Sequence, residues 1–303
     1  MTKAFMYEAG ATYLFTRNTS ERRYFLRPTK HNREAFLYCV ADAQAKFPVQ
    51  IHALVVMSNH VHVVLTDTHG HAPLFAQAMD QHLARLVNCS MGRFGSMWEG
   101  SLRPNWCVLP EVGDILSKVV YTLTNPVRAG LVERHHLWPG AITTVAQVAR
   151  GRIVTKRPTW YFARTKDPRL LERELTISPV PGAAVMSGED YGRMLDERVA
   201  AEERRIAEER AAEGRNWLGR KGCYDIDPFA SPDKKWKPFE RSPRVAASCS
   251  EARDAWYLRL GIFSGQYQDA RDDFRRGNRD AAFPCGTFAM RYYWDVTIEP
   301  LKL

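Results

Sequence analysis

Two β-rich runs, Val49–Met57 and His60–Thr66, are separated only by Ser58-Asn59. A two-residue gap between such runs predicts a tight antiparallel hairpin. A hairpin is not stable by itself and needs further strands or a covering helix, so the flanking elements decide the fold. Upstream, Ala11–Thr19 has the aromatic and β-branched content of a strand, and His31–Phe47 carries Phe36, Val40, Ala43 and Phe47 at helical spacing. Downstream, Pro73–Met91 reads as a helix with proline in its first turn and Leu74, Ala78, Leu83, Leu86 and Val87 on its apolar side. Arg103–Leu109 suits another strand, and Glu111–Thr124 a third helix that ends before Pro126.

The order β-α-β-β-α-β followed by a helix predicts an α+β fold. It is a ferredoxin-like sandwich with an antiparallel sheet, two helices on one face and the other face free for a site. With 303 residues the chain is long for one domain and comfortable for two. The reading assigns residues 1–150 to this sandwich, 151–190 to a basic aromatic segment and linker, and 191–303 to a mainly helical C-terminal module. The linker proper is the Pro/Gly-containing Ile177–Gly188. From about Tyr191 to Arg215 the sequence is a charged helix with opposite charges three or four residues apart. Trp256, Tyr257, Leu260, Tyr267 and Phe274 can pack a small helical core.

There are 43 Lys and Arg against 34 Asp and Glu, a formal charge of +9, which favours a polyanionic partner. The excess is spread, with 15 basic and 10 acidic residues in 1–150 and 28 and 24 in the rest. Cys39, Cys89, Cys107, Cys223, Cys249 and Cys285 form no C-x-x-C pair, which argues against a zinc ribbon or a disulfide scaffold and fits reduced thiols in the cytoplasm. Apolar runs are too short to span a bilayer, and the amino terminus lacks a signal pattern, so a soluble, unexported protein is expected.

All nine histidines lie between His31 and His136. Within the strand Asn59-His60-Val61-His62, alternation places His60 and His62 on one face while Val61, Val63 and Leu65 enter the core. Two imidazoles on one face are either half a metal site or two half-exposed strand histidines. At about 100° per residue, Val112, Ile115, Leu116, Val119 and Leu123 share one side of the third helix. Asp114, Ser117, Lys118, Tyr121 and Asn125 share the other. If that side meets the histidine face, Tyr121 and Asn125 approach the same point.

Three blocks, Met57-Ser58-Asn59-His60-Val61-His62, Met97-Trp98-Glu99 and Tyr121-Thr122-Leu123-Thr124-Asn125-Pro126-Val127-Arg128-Ala129-Gly130-Leu131-Val132, resemble in order and spacing the signature blocks of the REP-associated tyrosine transposases. These are single-tyrosine HUH transposases, and the resemblance covers about residues 8–140. It implies a ferredoxin-like catalytic domain in which His60, His62 and Asn125 bind a divalent metal, Mg²⁺ or Mn²⁺, and Tyr121 is the nucleophile. Some relatives have glutamine where this chain has Asn125. The implied activity is that of an endonuclease that nicks and rejoins single-stranded, hairpin-forming DNA through a 5′-phosphotyrosine, acting as a monomer or homodimer. A tyrosine phenol ionises only near pH 10, so metal proximity or a proton acceptor must assist. The alternatives are a domesticated DNA-binding regulator that does not cleave and a metal-dependent phosphohydrolase.

Other residues leave two readings open. Arg150, Arg152, Lys156, Arg157, Trp160, Tyr161, Phe162, Arg164 and Lys166 form a basic run with three adjacent aromatics. It suits single-stranded DNA or a strand packing its rings. Arg128 meets a phosphate or forms a salt bridge. Glu99 either partners a histidine or is a surface carboxylate. His52 is expected to be a satisfied sheet histidine, and His69, His71, His135 and His136 to be solvated in loops.

Overall fold

The computed structural model describes residues 4–100, 104–163, 167, 171–232 and 243–302. Of the residues singled out above, Arg103, Arg164 and Lys166 lie outside these. The central sheet comprises β1 (Thr12–Asn18), β2 (Gln50–Met57), β3 (His60–Thr66) and β4 (Asn105–Val108), ordered β2-β3-β1-β4. Every neighbouring pair is antiparallel. Helix α1 (Lys30–Lys46) joins β1 to β2, and α2 (Ala72–Ser90) joins β3 to β4, each crossing one intervening strand. This is the expected α+β architecture.

The register shows which layer lies on which face. Arg17 stands opposite Val61, and its guanidinium lies 3.5 Å from the Asp80 carboxylate of α2. Helix α1 packs on α2, so both helices belong to the face that presents Val61. Thr16 and His62 face each other on the opposite side. That side was expected to be free, but α3 (Val112–Arg128) packs across β2 and β3 and covers it. The reason is in the helix itself: Ile115, Val119, Leu123 and Val127 are buried, and an apolar stripe of that length needs a second surface. Burial does not follow the helical projection at every position. Val112 is exposed in the first turn, whereas Asp114 is buried and its Oδ1 accepts the Ser248 N–H at 2.8 Å.

Helix α3 also runs through Pro126 to Arg128 instead of stopping before the proline. A proline there removes one intrahelical donor, and the helix ends one turn later in a Schellman motif. The Gly130 N–H donates to Val127 O at 2.8 Å and the Leu131 N–H to Pro126 O at 3.0 Å, with Gly130 at φ 72°.

Both sheet edges are closed by chain from beyond residue 140. Along β2, the Val56 N–H donates to Ala141 O (2.8 Å), the Thr143 N–H to Leu54 O (3.0 Å) and the Ser178 N–H to Ile51 O (2.7 Å). Along β4, the Val108 N–H donates to Arg244 O (2.8 Å) and the Ala246 N–H to Val108 O (2.9 Å). Covered edges offer no template for pairing with another chain. Within Ile177–Gly188, Ile177, Val180 and Ala183 are buried.

Helix α4 (Val145–Arg150) leads into a hairpin of β5 (Arg152–Lys156) and β6 (Glu172–Thr176), which packs on α1. The charged helix is α5 (Gly188–Ala212), and its Tyr191, Leu195, Val199 and Ile206 form a buried stripe against α3 and α4. Glu203, on the same stripe, accepts the His135 N–H at 2.6 Å and lies 2.9 Å from His135 Nδ1 and 3.1 Å from Arg134 Nη1. His135 is therefore buried, not solvated as expected. The converging donors offset the cost of burying the carboxylate. Helices α6 (Gly219–Asp225), α7 (Ser250–Arg275) and α8 (Ala289–Trp294) follow, with short strands β7 (Phe283–Pro284) and β8 (Ile298–Glu299). Trp256 and Phe263 of α7 join the main core, while Ala270, Ala281, Phe283 and Val296 form a second one.

His52 is the extra residue of a β-bulge, since Ile51 pairs with Leu65 and Ala53 with Val64. It is fully buried, with Nδ1 3.0 Å from Ser178 O and Nε2 2.8 Å from Thr66 Oγ1. Burial lowers its pKa from 6.5 to about 4. The folded state thus favours the neutral ring, and the stability this gives is present above pH 6.5 and lost as pH falls towards 4. His52→Gln should flatten denaturation stability against pH in that window, removing a dependence of up to about 3 kcal/mol.

A second expectation concerns Gly130, where an added Cβ would come within 2.5 Å of the Arg210 guanidinium. Gly130→Ala should destabilise by about 1–2 kcal/mol or more, read as a Tm lowered by about 2–6 °C.

Candidate functional site

His60 opens β3 directly after the Ser58-Asn59 turn, and His62 follows on the same face with ring centroids 4.7 Å apart. The Tyr121 ring, half-buried on α3, lies 5.7 Å from the His62 ring at an interplanar angle of 70°. Asn125 is one turn further along α3, and its side chain is close enough to His60 to influence the ring. Its place in the helix is regular despite Pro126, because its carbonyl still accepts the Ala129 N–H at 3.0 Å.

Each imidazole has its Nδ1 engaged. Asn59 Oδ1, which can only accept, lies 2.7 Å from His60 Nδ1, so that nitrogen carries the proton and Nε2 keeps a lone pair. Thr16 Oγ1 lies 2.8 Å from His62 Nδ1. Engagement of one ring nitrogen by a neighbour is the arrangement that orients a histidine to bind a metal through the other. Burial, aided by the nearby Arg22, lowers the His60 pKa to about 4 against an opposing influence of the Asn125 side chain, which favours the protonated ring. Burial, then His60 and Lys118, hold His62 well below its usual value. Both rings are thus neutral, the form that ligates metal. Among the described residues no three His, Cys, Asp or Glu side chains form a group that could hold a metal ion by themselves. Two imidazoles and an amide nevertheless fit a cation that takes its remaining donors from water or phosphate oxygens.

Two cations flank the Tyr121 ring: Lys118 Nζ at 5.4 Å and Arg128 Cζ at 5.5 Å from its centroid. Arg128 also forms a salt bridge with Glu202 of α5, and Glu202 accepts from Arg205 Nη2 at 2.8 Å. Arg128 thus makes a salt bridge while its guanidinium lies over the tyrosine. Lys118 was visible in the sequence only as a polar-face residue one turn before Tyr121. No periodicity or motif in the sequence marks Arg22.

Among the described residues, several members of the basic aromatic run have partners of their own. Arg152 and Lys156 pair with Glu174 (3.5 Å) and Glu172 (3.8 Å) across the β5–β6 hairpin. Arg157 lies over Phe162 at 4.3 Å, and Trp160 packs 4.9 Å from His31 of α1. Tyr161 is exposed, and Arg150 is exposed at the end of α4. Glu99 donates its N–H to Asn18 O at 3.0 Å, and its carboxylate accepts the Glu21 N–H at 3.2 Å.

Among the described residues no helix is long and apolar enough to cross a membrane. No protein-family model matches the chain, and no curated protein matches its sequence. Two solved structures are similar to part of it. A REP-associated tyrosine transposase bound to a REP hairpin aligns at 21% identity over 58% of this chain and 99% of its own, with a TM-score of 0.41. A protein from Deinococcus radiodurans R1 assigned to the transposases aligns at 21% identity over 41% of this chain and 97% of its own, with a TM-score of 0.28.

Proposed function

We propose that the protein is a metal-dependent tyrosine endonuclease of the transposase type, which nicks and rejoins single-stranded, hairpin-forming DNA through a 5′-phosphotyrosine at Tyr121. One observation carries the reading: α3 sets a phenol and an amide against two neutral imidazoles whose Nδ1 atoms are already engaged. His60, His62 and Asn125 would hold Mg²⁺ or Mn²⁺, which supplies positive charge against the oxygens of the scissile phosphate.

Tyr121 Oη attacks phosphorus in line. The Oη–P bond forms as the P–O3′ bond breaks, the electron pair leaves with O3′, and that oxygen takes up a proton to become a 3′-OH. The phenol proton passes to solvent. The phosphotyrosine keeps the energy of the broken phosphodiester, so attack by a 3′-OH rejoins strands without ATP. Lys118 and Arg128 stand beside the ring, where they oppose the negative charge that phosphate and phenol bring together. The formal charge of +9 supports a polyanionic substrate. On this reading residues 1–150 supply the chemistry. Arg150, Arg152, Lys156, Arg157, Trp160 and Tyr161 would then meet outer parts of the DNA, and residues 191–303 support α3.

Full-length protein incubated with 5′- and 3′-labelled hairpin oligonucleotides and Mn²⁺ should give a denaturation-resistant adduct. Tyr121→Phe should lower its formation by roughly 10⁴-fold or more while hairpin binding stays close to wild type. An adduct with the variant would place the nucleophile elsewhere. Tight binding without any adduct from the wild type would favour the regulator, and phosphate release without an adduct the phosphohydrolase.

EDTA should abolish cleavage, and His60→Ala and His62→Ala should do the same by weakening metal affinity, with partial recovery in excess Mn²⁺. Normal turnover in EDTA would exclude the metal-dependent mechanism.

A further inference from the structure

The turn after β1 contains two consecutive non-glycine residues in left-handed backbone, Glu21 (φ 53°, ψ 19°) and Arg22 (φ 54°). L-residues adopt this region at a cost, which persists only where the surroundings over-determine it, and such strain gathers at functional sites. Here five hydrogen bonds impose it. The Glu21 N–H donates to the Glu99 carboxylate (3.2 Å) and the Arg22 N–H to Thr19 O (3.0 Å). Asn59 Nδ2 donates to Arg22 O (3.2 Å), Thr19 Oγ1 to Arg23 O (2.6 Å) and Ser231 Oγ to Glu21 O (3.0 Å).

The turn is tied directly to the site. The same Asn59 amide that holds the Arg22 carbonyl accepts from His60 Nδ1 through its oxygen. The Thr19 N–H donates to Asn59 O at 2.9 Å, and Asn18 pairs with His60 in the register. The two arginines of the turn differ. Arg23 is bound to Glu21 at 2.6 Å, whereas the exposed Arg22 has no carboxylate within salt-bridge distance among the described residues. A turn needed only to connect β1 to α1 would be less strained with glycine or asparagine at these positions.

We infer that Arg22 is a phosphate-binding residue, presented beside His60 by a strained turn that Asn59 and Glu99 hold, and that its ligand is the backbone of the single strand reaching Tyr121. Guanidinium is suited to paired phosphate oxygens. Glu99 acts through the turn and is a positioning residue. This inference rests on the nuclease reading only for the identity of the strand.

The test uses full-length protein carrying Tyr121→Phe, so that no chemistry intervenes, and a fluorescent single-stranded oligonucleotide with a hairpin, titrated over a range of salt. Arg22→Ala should weaken binding by about tenfold or more and reduce the logarithmic salt slope by about 0.7. Arg22→Lys should restore part of the affinity and the full slope. Arg22→Gly should lose as much affinity as Arg22→Ala while its Tm stays at or above that of the parent, because glycine relieves the left-handed strain. Glu99→Ala should weaken binding and add little to Arg22→Ala in the double variant. An unchanged affinity and slope in both Arg22→Ala and Arg22→Gly would overturn the phosphate contact, and full additivity with Glu99→Ala would overturn the positioning role. Adduct formation with Tyr121 intact, measured in parallel, separates the two ideas. No adduct with a slope still lowered by Arg22→Ala would remove the nuclease reading and leave the contact, and the converse would remove the contact alone.

Discussion

The contact on which the site depends is the packing of α3 across the sheet face that bears His60 and His62. Its buried side, Ile115, Val119, Leu123 and Val127, binds it to β2 and β3, so the half-buried Tyr121 on its flank comes to rest against His62. The same helix is held from outside by α5, whose Tyr191, Leu195, Val199 and Ile206 are buried and whose Glu202 pairs with Arg128, while Glu203 ties α5 to Arg134 and His135 beyond the end of α3. A side chain on a helix fixed from both sides loses little further freedom when it meets a ligand, which is what a positioned nucleophile requires.

A second layer of constraint acts on the imidazoles. Thr16 comes from the neighbouring strand and Asn59 from the hairpin turn, and each engages an Nδ1. Because β1 pairs with β3 in a register that sets Thr16 opposite His62, an error of one residue in strand pairing would remove that partner and turn the histidines to the wrong face. Sheet register and site geometry are here one requirement. The Arg22 turn is linked to it through Asn59, whose single amide serves both.

Helix α5 shows how charge can conceal a core element. Its sequence reads as a run of paired Glu and Arg, and several of those pairs are present, including Arg205 with Glu202 and Glu209. Yet one side is buried, and it includes Glu203 and Arg210, whose burial is tolerable because Glu203 gathers donors and Arg210 lies 4.6 Å over the Trp217 ring. Charged residues on a buried stripe weaken the apolar periodicity from which packing is inferred.

Period-two alternation and turn chemistry act between neighbours in the chain, and what they govern was legible beforehand. The Ser58-Asn59 hairpin, the shared face of His60 and His62, the order of strands and helices through β4, and the turn of helix between Tyr121 and Asn125 all follow from local spacing. What the tertiary structure decided involves residues far apart in sequence. It put α3 over the face expected to be free, carried that helix through Pro126 to a glycine cap, turned His52 and His135 into buried structural histidines, and left the basic aromatic hairpin against α1. It also placed Lys118, Arg128 and the strained Arg22 turn around the histidines and the tyrosine. The physical reason is that burial and long-range hydrogen bonding depend on which surfaces meet. Sequence spacing describes each surface by itself, and only the folded chain determines which of them face each other.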